Sequence, residues 1–200
     1  MITVKINGEE RQYPQGATYE DVANDYQQEY ENLIALAARD GKIRELFKKL
    51  TRDCEVTFFT LKDDVGNKTY VRSATMLFLK AVFDVYGREA AQSCRVEFAI
   101  GNGSYISPKG KINATEENAA KIRNRMRELV EAKTPFLKRS YSLDNAMELF
   151  RKEGMKDKEK LFRYRRGSFV NIYEMDGYYD YYYGYMLPNA GYVKWFDVIA

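Results

Sequence analysis

The sequence predicts an α+β chain built from two successive units, and three observations lead there. Residues 2–6 alternate apolar and polar side chains and run into Asn7-Gly8, the strongest two-residue hairpin signal. A Thr18-capped amphipathic segment follows closely and leads into further short apolar runs, so strands and a helix share one small unit. Beyond about residue 62, longer helical patterns alternate with hairpin signals, and no period of 20–50 residues recurs.

In the first unit, Glu9 to Tyr13 returns as the second strand and Pro14-Gln15-Gly16 breaks the chain. Thr18 is a good N-cap with Glu20 and Asp21 in the first turn, where the helix dipole favours acids. Tyr19, Val22, Ala23 and Tyr26 recur at helical spacing, which predicts a helix over 19–28. Leu33 to Ala38 is a buried apolar run closed by Asp40-Gly41, and Lys42–Leu46 and Cys54–Leu61 read as two more strands. The result is a helix lying across a mixed sheet.

In the second unit, Asp63-Asp64-Val65-Gly66-Asn67 reads as a turn, and a helix is expected from Ser73 to Tyr86, stopped by Gly87. Leu77, Leu79, Ala81, Val82, Phe83 and Val85 lie nearly all round it, the mark of a buried helix. Arg95–Ile100 and Tyr105–Ile106 form a hairpin about Gly101-Asn102-Gly103. Thr115 with Glu116 and Glu117 opens a long helix that ends at Lys133, before Thr134-Pro135. Ser142 caps another helix through Lys152, stopped by Gly154. Residues 157–163 read as a short basic helix, and 168–174, 178–183 and 192–199 as strands.

The 200 residues contain no histidine. That removes Ser-His-Asp and Cys-His nucleophile systems, histidine acid–base chemistry and zinc sites with imidazole ligands. There is no G-x-x-x-x-G-K-[ST] phosphate loop. Cys54 and Cys94 make neither a disulfide framework nor a CxxC motif, which points to a reducing cytoplasm. No apolar run approaches 18 residues, so no membrane is expected as a partner.

Charge is segregated. Residues 121–166 carry 15 basic and 7 acidic side chains, a net +8, within a chain whose total is +3. Arg123, Arg127, Lys138, Arg139, Arg163, Arg165 and Arg166 are the candidate contacts for phosphate or RNA; a solvated helix surface with Glu partners is the competing reading. Eight of the 17 tyrosines fall between Tyr173 and Tyr192. Such rings either stack nucleobases or fill a core and pair across a sheet.

The order of these segments resembles a known pair of domains. Asn7-Gly8, Gly16-Ala17-Thr18-Tyr19-Glu20-Asp21-Val22-Ala23, Ala37 through Leu46 and Asp53-Cys54-Glu55-Val56 resemble a TGS domain, the ubiquitin-like β-grasp module at the front of threonyl-tRNA synthetases and some regulatory GTPases, over 1–61. Residues 62–200 resemble the α+β editing-like domain (the second additional domain) shared with the alanyl enzyme. Its hallmarks are His-Ser-x-x-His opening a helix, Ile-x-Asn-Gly-x-Tyr in a hairpin, and Cys-x-Gly-Pro-His near the end. Here Tyr70 to Leu77, Ile100 to Tyr105 and Asp180 to Met186 occupy those places.

The resemblance implies a metal- and water-handling pocket at positions that are Arg72, Met76, Tyr182 and Met186 in this chain. Thioethers and phenols are poor zinc ligands, and arginine does not deprotonate to bind a cation. The expectation is therefore no catalytic residue and no metal. What remains is a ligand cleft with Arg72 at its mouth offering a fork to carboxylate or phosphate, or else a pocket that Met76 and Met186 have filled.

The same two domains, stripped of histidine, also front a group of bacterial uridine-kinase-like nucleoside kinases, and the segment from Val170 to Phe196 resembles theirs. On that reading the chain is the non-catalytic regulatory region of a cytoplasmic nucleoside kinase. The kinase domain would follow Ala200 in the same chain and would alone require ATP and magnesium. The alternative is a tRNA- or RNA-binding module related to threonyl-tRNA synthetase and lacking editing activity.

Overall fold

A computed structural model describes residues 1–101 and 103–200; Asn102, at the centre of the expected hairpin tip, lies outside the described residues. Strands β1 (Ile2–Ile6) and β2 (Glu9–Tyr13) form the expected hairpin, with Asn7 and Gly8 both at positive φ as its tight turn requires. Strand β3 (Ile34–Arg39) pairs with β4 (Lys42–Glu45) and with β5 (Cys54–Thr60), and β5 runs parallel to β1. The sheet order β2-β1-β5-β3-β4, crossed by α1 (Tyr19–Tyr26), is the β-grasp arrangement. Thr18 and Asp21 close a capping box at the start of α1, and Tyr19, Val22 and Tyr26 pack onto Ile2, Val4, Ile6 and Val56.

The rest of the chain is also α+β. Helix α2 (Asp64–Tyr86) leads to α3 (Arg88–Ser93), the ribbon β6 (Arg95–Ile100) and β7 (Gly103–Ser107), and α4 (Glu116–Glu131), which Thr115 caps. Strand β8 (Leu137–Ser142), α5 (Leu143–Lys152), α6 (Lys156–Phe162), β9 (Phe169–Met175) and β10 (Tyr178–Asp180) follow, with sheet order β10-β9-β8. Met76, Leu77, Val82, Met126, Leu129, Tyr173 and Met186 form the main core here, and Phe150, Phe162 and Ile172 a smaller one.

Several expectations are corrected. Helix α2 begins at Asp64, so Asp63 is its N-cap position and residues 64–67 are its first turn, not a free turn. Asp63 occupies the N-cap position, but its carboxylate accepts hydrogen bonds from the backbone and hydroxyl of Thr60. Gly66 serves close approach: a Cβ there would stand 2.0 Å from the Thr60 carbonyl oxygen.

Residues 192–199 form no strand. After a 3₁₀ turn at Ala190–Tyr192, side chains satisfy the backbone: Tyr70 Oη donates to the Trp195 carbonyl and accepts from its N–H, and Arg123 donates to the Val198 carbonyl. The strand expected over 178–183 ends at Asp180, whose carboxylate accepts from the Tyr181 N–H. Strand β8 and helix α3 were not expected. Leu-Lys-Arg-Ser-Tyr-Ser shows no apolar alternation, and six residues are too few to display a helical period.

No helix among the described residues is long and apolar enough to cross a membrane.

Candidate functional site

The middle of α2 packs against residues 182–187. Ser73 Oγ donates to the Thr69 carbonyl, accepts from the Leu187 N–H, and lies 3.9 Å from the Met186 sulfur. The structure thus brings together the motif positions read from the sequence, but it gives them different tasks. Met76 and Met186 are fully buried and fill the core between α2 and the tail.

Arg72 is not a fork at an open mouth. Its guanidinium donates to the Tyr185 carbonyl and lies so close over Gly184 that a Cβ there would come within 2.6 Å of Cζ. Burial pulls the Arg72 pKa down, opposed by Tyr173 and Glu45. A half-buried guanidinium turned onto its own backbone has little left to offer a ligand.

Tyr182 lines an open cleft. This cleft, about 830 Å³, runs between α2 (Thr75, Leu79), the foot of β6 (Arg95, Glu97), α6 and the Asp180–Tyr182 segment. The Tyr182 hydroxyl is buried with no hydrogen-bond partner among the described residues. Burial, with Asp180 adding to it, raises its pKa well above the usual phenol value, so it is a neutral donor. Asp180 is 6% exposed and pairs with Lys158 at 3.2 Å; burial raises its pKa while Lys158 opposes the shift. Lys156 and Lys160 complete the rim, so the cleft offers a buried acid and a phenol behind a basic edge. Among the described residues no cluster of three or more Cys, Asp or Glu side chains could hold a metal ion.

A second, more basic groove of about 680 Å³ runs between the loop after β4 and the start of β8. Lys48, Lys49, Lys133, Lys138 and Arg139 line it, with Glu20 as its one carboxylate among the lining residues. Lys138 is paired with Glu45 and Arg139 with Glu174. Lys48, Lys49 and Lys133 have no ion-pair partner among the described residues. Sequence reasoning missed these three because Lys48 and Lys49 belong to residues 1–60, whose summed charge is −3, and lie far from Lys133 in the chain. Only the fold makes them neighbours.

The remaining predicted cations do not form one patch. Arg123 is tied to Glu116 and Asp197. Arg127 is exposed on α4, and Arg163 and Arg166 are exposed just beyond α6. Arg165 donates to the Tyr181 hydroxyl and lies over the Phe162 and Tyr181 rings.

No family model matches the chain. Curated proteins do. The chain is 28% identical to the threonine–tRNA ligase of Thermotoga maritima over 207 residues, covering all of this chain and 30% of that protein. It is 25% identical to the ligase of the same name from Porphyromonas gingivalis over 201 residues, or 97% of this chain and 30% of that one. The Maricaulis maris ligase is 27% identical over 193 residues, 96% of this chain and again 30% of the relative. The chain is therefore similar nearly from end to end to a part of threonine–tRNA ligases, and it spans about 30% of their length.

Proposed function

We propose that this chain is a cytoplasmic tRNA-binding module related to threonine–tRNA ligases, without the editing hydrolysis that its resemblance would imply. It divides into a TGS-like domain over 1–61 and an editing-like domain over 62–200. The observation that carries the reading is similarity along the whole chain to ligases whose named partner is tRNA. Two cationic features support it: the groove of Lys48, Lys49, Lys133, Lys138 and Arg139, and the lysine-rimmed cleft beside Asp180 and Tyr182.

The mechanism of binding follows from charge and shape. Phosphates along a structured RNA release counterions when they meet the groove lysines, which supplies affinity with little sequence preference. The cleft admits a terminal nucleotide, with the Tyr182 hydroxyl as donor and Asp180 as acceptor. Hydrolysis does not follow. Met76 and Met186 supply no proton and are poor zinc ligands, and Arg72 is engaged with Tyr185.

The relatives named above are ligases, which favours this reading over regulation of a nucleoside kinase; ATP and magnesium enter only through the kinase reading. The test is fluorescence anisotropy with labelled tRNA at low salt, paired with deacylation of mischarged tRNA. The expected outcome is a Kd of about 1–100 µM, the range of charge-driven binding, and no deacylation above background. Absence of tRNA binding at low salt overturns the proposal, and deacylation overturns its second half.

A further inference from the structure

No described residue of the β6–β7 ribbon belongs to any of the three cores. Its register pairs Val96 with Ile106, Phe98 with Tyr105 and Ile100 with Gly103, and the pairing shifts between Val96 and Phe98. The shift leaves Glu97 as an extra residue, so Val96 and Phe98, two positions apart, point to opposite faces. The inner face carries Val96, Ala99, Ser104 and Ile106, and the last three line a groove against Tyr70, Ala74 and Phe78 of α2. The outer face carries Phe98, Ile100, Gly103 and Tyr105. Its three side chains are 57%, 60% and 48% exposed. A two-stranded ribbon cannot bury such a face by itself, and a contiguous exposed apolar face on a folded protein marks a contact surface.

The relief and charge of the outer face indicate what covers it. The Phe98 and Tyr105 rings stack with centroids 5.2 Å apart and planes 24° from parallel, which makes a ridge across the ribbon. The next row is low on one side. Gly103, opposite Ile100, has no side chain, and a Cβ there would meet nothing nearer than the Ile100 carbonyl oxygen at 3.6 Å. A ridge beside a hollow on one surface is self-complementary: a two-fold axis between the two rows sets the rings of each copy into the hollow of the other. None of the four residues is charged, and the charged side chains of the two strands are Arg95 and Glu97. Glu97 is neutralised by Lys109 at 2.8 Å. Arg95 stands at the foot of β6, so the two-fold places the two copies of it at opposite ends of the contact and no like charges meet. A nucleic-acid strand laid on the same face would find no cation beside the rings for its phosphates.

We infer that the outer face of the ribbon is a two-fold contact between copies of this chain, in which the Phe98–Tyr105 ridge of each copy seats over Gly103 and Ile100 of the other. The inference stands apart from the RNA-binding reading and uses none of its cations. Two short ribbons bury less area than a standard stable interface, so the dimer is weak, with a Kd of about 1 µM to 1 mM.

The test is sedimentation equilibrium of the full chain, without RNA, over protein concentrations that span this range, with melting curves to confirm folding. Two variants accompany it. Phe98→Ser/Tyr105→Ser removes the ridge and is expected to weaken dimerisation about tenfold or more, as loss of the central aromatic anchors of an interface does. Gly103→Val fills the hollow. It adds apolar area to an exposed strand position, so it should leave the monomer folded, yet it is expected to weaken the dimer about tenfold because the rings no longer seat. Raising salt should leave the wild-type dimer unchanged or tighter, since the contact is apolar. A wild type that stays monomeric throughout overturns the inference, and so does a dimer that both variants form as readily as the wild type. If Gly103→Val associates more tightly, the face is a nonspecific apolar patch and the two-fold seat is overturned. If salt dissolves the dimer, charged groups elsewhere hold it. A monomeric wild type whose ridge variant loses affinity for tRNA would assign the face to RNA instead.

Discussion

The buried carboxylate of Glu45 on β4 accepts a hydrogen bond from the hydroxyl of Tyr173 on β9, 128 positions further along the chain. It also takes the Lys138 ammonium at 3.0 Å and lies 3.4 Å from the Met186 N–H. The Tyr173 hydroxyl reaches the Gly184 carbonyl as well, beside the peptide that Arg72 holds. Burial and the Glu45 charge together push the Tyr173 phenol far above its usual pKa. One network therefore fastens the five-stranded sheet to the turn that carries the motif positions.

That network predicts a stability effect. Glu45→Ala leaves the partly buried Lys138 ammonium without its carboxylate and the Tyr173 hydroxyl with the Gly184 carbonyl alone, and is expected to lower unfolding stability by about 3 kcal/mol in urea titration. Glu45→Gln keeps one acceptor and should cost less. Equal losses for the two would show that charge and hydrogen bonding are not what matters here.

Gly66→Ala is expected to be among the most damaging small substitutions. The added methyl meets the Thr60 carbonyl, a backbone atom that cannot rotate away. The expected loss is about 3 kcal/mol or more, at the upper end of overpacking effects, read as a fall in the urea midpoint.

Metal loading is the test of the expectation that this chain holds no zinc. With Arg72, Met76, Tyr182 and Met186 at the ligand positions, protein exchanged against excess zinc and desalted is expected to retain far less than one zinc per chain by elemental analysis. Stoichiometric zinc would mean that other side chains assemble a site.

Burial pushes the Cys94 thiol up to about 11 and also raises Cys54. At pH 8 only about one Cys94 in a thousand is thiolate, so iodoacetamide should label the native chain far more slowly than the unfolded one. The unfolded thiol ionises near its ordinary value while the folded one stays protonated. Stability is therefore expected to fall as pH rises above about 9. Rapid native labelling at pH 8 would contradict the burial of this thiol.

Much of the fold was legible in the sequence because local signals were strong: Asn7-Gly8, the Thr18 and Thr115 caps, and the Gly87 and Gly154 stops each act within a few residues. Asp63 misled because the same side chain that caps a helix also makes a turn. Strand β8 was hidden because its pairing with β9 is decided by a partner thirty residues away and not by its own polar alternation. The orientation of Arg72 depends on Gly184 and Tyr185, which no local pattern reveals. The lysine groove needs the fold to bring Lys48 and Lys49 to Lys133.

The most direct test of the central claim is the affinity of the full chain for tRNA measured across salt concentrations, alongside a Lys48→Glu/Lys49→Glu/Lys133→Glu variant. The account predicts that wild-type affinity falls steeply as salt rises, and that the variant binds more weakly with the log–log slope reduced by about 2 in magnitude, close to the loss of its phosphate contacts. No binding at low salt, or binding indifferent to salt and to the three reversed charges, would contradict it.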